Sequence, residues 1–158
     1  MHPKKVDVNS NKHVVYKFIN AINDRNWSVI KSIVHSDFIR RSYSDPKIIS
    51  SDTGIVDFYK NEAQAFPDLK QTILFAIEEG DLVATRILFE GTQDGHLGSL
   101  PPTGKMLIAA FNCFFKVTDN QLKEAWVEYD NLHGLIQLGH YRIIENTSII
   151  QRSTTEEQ

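Results

Sequence analysis

The chain predicts an α+β fold, with helices packed against one face of a curved, mostly antiparallel sheet. Apolar residues recur at helical spacing through the first part of the chain, and from Lys70 onward the period changes to two. Two short turn-rich segments, Glu79-Gly80-Asp81 and Thr118-Asp119-Asn120, each join strand-like runs as an antiparallel hairpin. Helices first and strands afterwards make layers in which the helices cover one face of the sheet.

Taken in order, Asn9 or Ser10 can cap a first helix carrying Val14, Val15, Phe18, Ile19 and Ile22. Asn23-Asp24-Arg25-Asn26 reads as a break. Trp27, Ile30, Ile33 and Val34 mark a short second helix ending near His35-Ser36-Asp37. A short apolar segment around Phe38 and Ile39 and a polar loop follow. Ser51 or Asp52 can then cap a third helix with Ile55, Phe58, Tyr59 and Ala65, which Phe66-Pro67-Asp68 ends. Four strands are expected, at Gln71 to Ile77, Leu82 to Glu90, Met106 to Val117 and Leu122 to Tyr129. The Gly- and Pro-containing stretch from Gly91 to Lys105 reads as a surface connection or lid. A short helix at Asn131 to Leu138 closes the pattern. We expect one domain over residues 1–147 and a polar tail over 148–158.

The bulk properties bound the function. A chain of 158 residues can bury the core of one globular domain. Its net charge of -3, with Lys4-Lys5 and Arg40-Arg41 as the only adjacent basic pairs, argues against a nucleic-acid surface. The N-terminus lacks a signal-peptide h-region and no apolar run approaches bilayer length, so no membrane partner and a cytoplasmic location are expected. Cys113, the only cysteine, stands in Phe111-Asn112-Cys113-Phe114-Phe115 and reads as a small core hydrophobe. Of the six histidines, no two have the spacing of a helical metal pair, and no metal site is expected. His96 lies in the Gly-rich loop, exposed or at a pocket mouth. No phosphate loop, serine elbow or paired cysteines point to nucleotide, serine-hydrolase or redox chemistry.

Glu124-Ala125-Trp126-Val127-Glu128-Tyr129-Asp130 holds the chemistry-bearing candidates. Strand alternation would put Trp126, Glu128 and Asp130 on one face and Val127 and Tyr129 on the other. A carboxylate among apolar side chains either finds a partner or has its pKa raised towards that of a useful base. Asp130 is therefore either a base or the N-cap of the following helix. Glu128 is either a second pocket acid or an exposed edge residue. Trp126, Phe114 and Phe66 either line a pocket or fill the core.

The ordered phrases Ala65-Phe66-Pro67-Asp68-Leu69, Glu79-Gly80-Asp81-Leu82-Val83-Ala84, Gly91-Thr92, Pro101-Pro102-Thr103-Gly104-Lys105, Trp126 with Asp130, and Gly134-Leu135-Ile136-Gln137-Leu138-Gly139 resemble the SnoaL-like polyketide cyclase (ester cyclase) family. That family lies within the nuclear transport factor 2-like, or cystatin-like, superfamily. The resemblance covers most of the chain. It implies a cone-shaped barrel of three N-terminal helices on a bent sheet enclosing one deep apolar pocket. It also implies that Asp130 matches an acid/base aspartate that assists an aldol-type ring closure without metal or organic cofactor. Where many members read Gly-Thr-His this chain has Gly91-Thr92-Gln93, and Arg41 stands where many carry histidine.

These features together read as a cofactor-free cyclase or isomerase for a small, largely apolar carbonyl compound. In it, Asp130 moves the proton and Arg41 and Gln93 orient the substrate carbonyl. The alternative is a non-catalytic ligand-binding or assembly module of the same fold. Water addition to an epoxide ranks behind both, because only Asp130, Glu128 and Arg41 offer themselves to position a water. The resemblance further implies a homodimer or higher homo-oligomer.

Overall fold

The computed structural model describes residues 10–45 and 47–142. The cap candidate Asn9, the Lys4-Lys5 pair, His2 and the polar tail lie outside the described residues.

Helices α1 (Asn11–Asn23) and α2 (Trp27–Ile33) open the chain, followed by strand β1 (Val34–Arg41), a short β2 (Ile49–Ser50) and α3 (Ser51–Ala65). Strands β3 (Lys70–Glu79), β4 (Leu82–Thr92), β5 (Met106–Thr118) and β6 (Gln121–Glu128) then lead into α4 (Asn131–Leu138). They form one six-stranded sheet in the order β2-β1-β6-β5-β4-β3. All neighbours are antiparallel except β1 and β6, which run parallel. This is the expected α+β cone, a curved sheet with helices on its inner face.

Two strands exceed the four read from the sequence. Val34 to Arg41 is a full strand beginning where α2 stops, so His35-Ser36-Asp37 lies in β1 and does not end a helix. Its burial follows no simple alternation, because its register on β6 shifts between Val34 and Ile39. That irregularity hid the strand from a period-two reading and bends the sheet there, as the register shifts in the β3/β4 and β5/β6 pairs do elsewhere.

Side-chain caps and tertiary contacts set the helix starts. The Asn26 side chain accepts from Val29 N at 3.3 Å and caps α2. Ser51 Oγ accepts from Gly54 N at 3.1 Å at the start of α3. Ser10 stands at the N-cap of α1 but its hydroxyl makes no capping bond. Glu78 of β3 does that work, its two carboxylate oxygens accepting from Asn11 N at 3.1 Å and Lys12 N at 3.2 Å. A negative charge there also offsets the helix dipole.

The core lies between the helices and the inner sheet face. Val15, Phe18, Ile19 and Ile22 of α1 are buried with Ile55 and Tyr59 of α3, Val83, Ile87 and Phe89 of β4, and Phe115 and Val117 of β5. Phe18 meets Tyr59 and Phe115 edge to face at 5.7 and 6.1 Å. The outer sheet face, by contrast, shows large apolar side chains, among them Phe75, Ile77, Met106, Ile108 and Phe114.

Candidate functional site

Strand parity decides which side chains enter the interior. On β1, Phe38 and Arg40 are buried while Ile39 and Arg41 turn outward. On β5, Leu107, Ala109, Phe111 and Cys113 share the inner face, and Ala125 and Val127 do so on β6. Where the sheet runs past the helical layer, this face and helices α3 and α4 enclose a cavity of about 290 Å³. The loop between β4 and β5 adds His96, Leu97 and Gly98 to its wall.

The wall is mainly aromatic. Phe66 meets Phe89 edge to face at 5.3 Å, Phe89 stacks on Phe111 at 5.7 Å, and Phe111 lies 4.8 Å from the Tyr129 ring. Phe58 of α3 and Leu135 and Leu138 of α4 complete the apolar lining. Two charged side chains stand within it. Arg40 is only 4 % exposed, and its Nε and Nη1 have no hydrogen-bond partner among the described residues. Its guanidinium carbon sits 4.7 Å from the centre of the Phe58 ring. Such a cation–π contact contributes about 2 kcal/mol when desolvated, whereas burying an ion costs several. The guanidinium is thus buried with no ion pair among the described residues.

Glu62 is the second. The residue retains some exposed surface, but its Oε2 is buried without a hydrogen-bond partner. Burial pushes its carboxyl up to about 7, with the positive charge of Arg40 acting in the opposite sense. Desolvation likewise raises the Tyr59 and Tyr129 hydroxyls, and it pushes the Cys113 thiol up to about 12. Cys113 is thus a protonated core thiol. Arg40, Phe58, Glu62 and Phe111 also line a separate void of about 20 Å³ reaching inward to Gln71 and Cys113. That is room for about one water molecule.

Polar groups occupy the rim. Asp130 lines the cavity and is exposed, and its Oδ1 accepts from His133 N at 2.9 Å as the N-cap of α4. The two readings of Asp130 are therefore compatible, since a carboxylate has a second oxygen to offer. Asp45, Lys47, His96 and Asn131 share the rim.

Of the other candidates, only Phe66 lies in the cavity wall. Arg41 points to the outer face and pairs with Glu124 at 2.7 Å. It cannot orient a substrate in the cavity. Its neighbour Arg40 enters instead, because one step along a strand reverses the face. Gln93 is fully buried and spent on structure. Its Nε2 donates to Pro101 O at 3.1 Å, and its Oε1 accepts from Thr103 Oγ1 at 3.1 Å and faces His140 Nε2 at 2.8 Å. It pins the loop between β4 and β5 to the segment after α4 and does not line the cavity. Trp126, Glu128 and Phe114 stand on the outer face, with Phe114 51 % exposed and paired in register with Trp126. Glu128 accepts from Tyr43 N at 2.9 Å and Ser44 Oγ at 3.2 Å, fastening the loop that carries Asp45. Asp130 escapes this alternation because β6 ends at Glu128.

Arg40 and Glu62 were not among the sequence candidates, and only Glu62 carries a legible signal. Glu62 falls seven residues after Ile55 and three after Tyr59, on the apolar stripe of α3. Arg40 stands two residues after Phe38, on the buried face of its strand.

Residues 13–138 match the family model of the SnoaL-like polyketide cyclases. IdmH from Streptomyces antibioticus, described as a candidate polyketide cyclase, superposes with a TM-score of 0.73 at 23% identity, over 83% of this chain and 99% of that one. A candidate SnoaL-like polyketide cyclase from Jannaschia Sp. CCS1 gives 0.77 at 19% identity, over 89% and 99%. An LEH-like epoxide hydrolase from M. tuberculosis gives 0.67 at 12% identity, over 82% and 90%. At these identities the structural likenesses speak to the fold. No curated protein sequence matches the chain.

Proposed function

The chain belongs to the SnoaL-like polyketide cyclase family, and from that membership we propose that it is a cofactor-free cyclase acting on a small, largely apolar carbonyl compound. One observation supports this reading above the rest. Two carboxyl groups, Asp130 and Glu62, open on one aromatic cavity, and Glu62 is held near neutrality. A group that titrates near the working pH is an effective proton carrier.

In the proposed reaction Asp130 takes a proton from the carbon beside one carbonyl. The enolate carbon bonds to a second carbonyl carbon, and the resulting alkoxide takes a proton from Glu62. Exchange with water at the rim returns a proton to Glu62 and removes one from Asp130. The apolar wall favours the compact, water-free arrangement of the two carbonyls.

The test is hydrogen–deuterium exchange at carbon, in a panel of enolisable ketones, read by mass spectrometry. Wild type is expected to accelerate exchange and Asp130→Asn to abolish it, while Glu62→Gln keeps exchange but blocks ring closure. A second reading, a ligand-binding module, is favoured by the capping bond of Asp130. Tight ketone binding with no exchange in wild type would select it.

We further propose that the chain forms a homodimer through the outer sheet face, where Phe75 and Phe114 are 56 % and 51 % exposed. Light scattering is expected to give a dimer that Phe114→Lys weakens. A wild-type monomer at micromolar concentration would dismiss it. Among the described residues no helix is long and apolar enough to cross a membrane.

A further inference from the structure

We propose that Arg40 is an oxyanion subsite, so that the ligand of the cavity is a largely apolar molecule with one delocalised negative oxygen group, a carboxylate or an enolate, docked on its guanidinium. The inference deepens the proposed function and rests on its assignment of the cavity as the ligand site.

The argument begins with what Arg40 lacks. An arginine remains charged under all folding conditions, and its planar donors match a two-oxygen anion. Buried arginines normally spend those donors on carboxylates or carbonyl oxygens. Here, among the described residues, Nε and Nη1 have no partner, and Arg40 and Glu62 form no ion pair. Glu62 Oε2 is itself unpartnered, and both side chains line the same cavity. In its protonated form the Glu62 carboxyl adds an O–H donor to the N–H donors of the guanidinium, and together they suit an acceptor carrying negative charge.

The rest of the cavity sets the remainder of the ligand. Phe58, Phe66, Phe89 and Phe111 offer ring faces and edges but no polar group. They therefore suit a flat or cyclic hydrocarbon body. The flanking cation–π contact holds the guanidinium against Phe58. This arrangement explains why the charge sits on β1 beside the aromatic wall and not at the rim, where Lys47 would serve a merely attractive role.

The test is calorimetric binding of naphthoate, its neutral isostere naphthamide, and a cyclic aryl diketone ionised as its enolate. These are measured with wild type, Arg40→Met, Arg40→Lys, Glu62→Gln and Lys47→Ala. Wild type is expected to favour at least one anion over the amide by about tenfold or more, the value of a charge-assisted hydrogen bond. Arg40→Met should abolish the preference and Arg40→Lys should keep only part of it. Glu62→Gln should retain it, because the amide still donates. Which anion binds distinguishes a carboxylate ligand from an enolate. Equal binding of acid and amide, binding of neither anion, or a preference that survives Arg40→Met but falls in Lys47→Ala would overturn the proposal. Should Arg40→Met not fold, the acid-to-amide ratio in wild type and Arg40→Lys still decides. Proton exchange at carbon is not measured here, so failure of the catalytic reading leaves this outcome separately readable.

Discussion

Replacing Glu62 with glutamine should change how stability depends on pH. The carboxyl moves from an ordinary value of 4.5 to about 7 on folding, chiefly because burial disfavours its charged form. The folded state therefore holds a proton that the unfolded state has released between those two values, and stability falls as pH rises through that window. Each unit is worth about 1.4 kcal/mol, so the loss by pH 8 amounts to about 3 kcal/mol. For a domain of this size that is roughly 6 to 12 °C in Tm. Glutamine has nearly the same shape and cannot ionise. Thermal melts of both proteins by circular dichroism from pH 4 to pH 9 isolate the effect, because every other titration is common to the two. The Tm difference, variant minus wild type, should rise through the window and level off above it. Parallel curves would show that Glu62 is not desolvated on folding, and the chemistry proposed for it would lose its support.

Gln93→Ala should cost about 2–4 kcal/mol in urea denaturation, because it opens a hole and strands the groups that Gln93 satisfies. Gly95→Ala should destabilise by about 1–3 kcal/mol, since the added methyl would fall on the Gln64 carbonyl oxygen while Gly95 N donates to Ala65 O at 3.0 Å. Arg41→Ala should change stability by less than about 1 kcal/mol and leave naphthoate binding unchanged, because its ion pair lies on the partly exposed outer face. Cys113 should resist a thiol reagent at pH 8 until denaturant is added, since burial keeps it protonated and covered. Prompt labelling of the folded protein would contradict that placement.

Much of the fold was legible because it rests on local periodicity. The apolar stripe of α1, the period-two runs of β3 to β6 and the turn residues at Gly80 and Asp119-Asn120, which adopt left-handed φ angles, are all local features. Strand β1 was not legible, because a register shift breaks its alternation and its partner β6 lies some eighty residues away in sequence. The site was legible only in part for a related reason. Asp130 and Phe66 reach the cavity. Arg41, Trp126, Glu128 and Phe114 carry plausible chemistry but lie on the wrong side of their strands, and Gln93 is consumed by the loop it holds.

By itself the sequence determined the four helices, strands β3 to β6, their order and the family, all of which follow from short-range spacing and phrases of a few residues. The tertiary structure alone decided which face of each strand looks inward, and so whether Arg40 or Arg41 meets the cavity. It also brought Glu62 of α3, residues of β1, β4 and β5, and α4 around one cavity. The physical reason is that charge takes its chemical character from its surroundings. The carboxyl of Glu62 becomes a near-neutral acid only where packing has removed the water that would have kept it ionised.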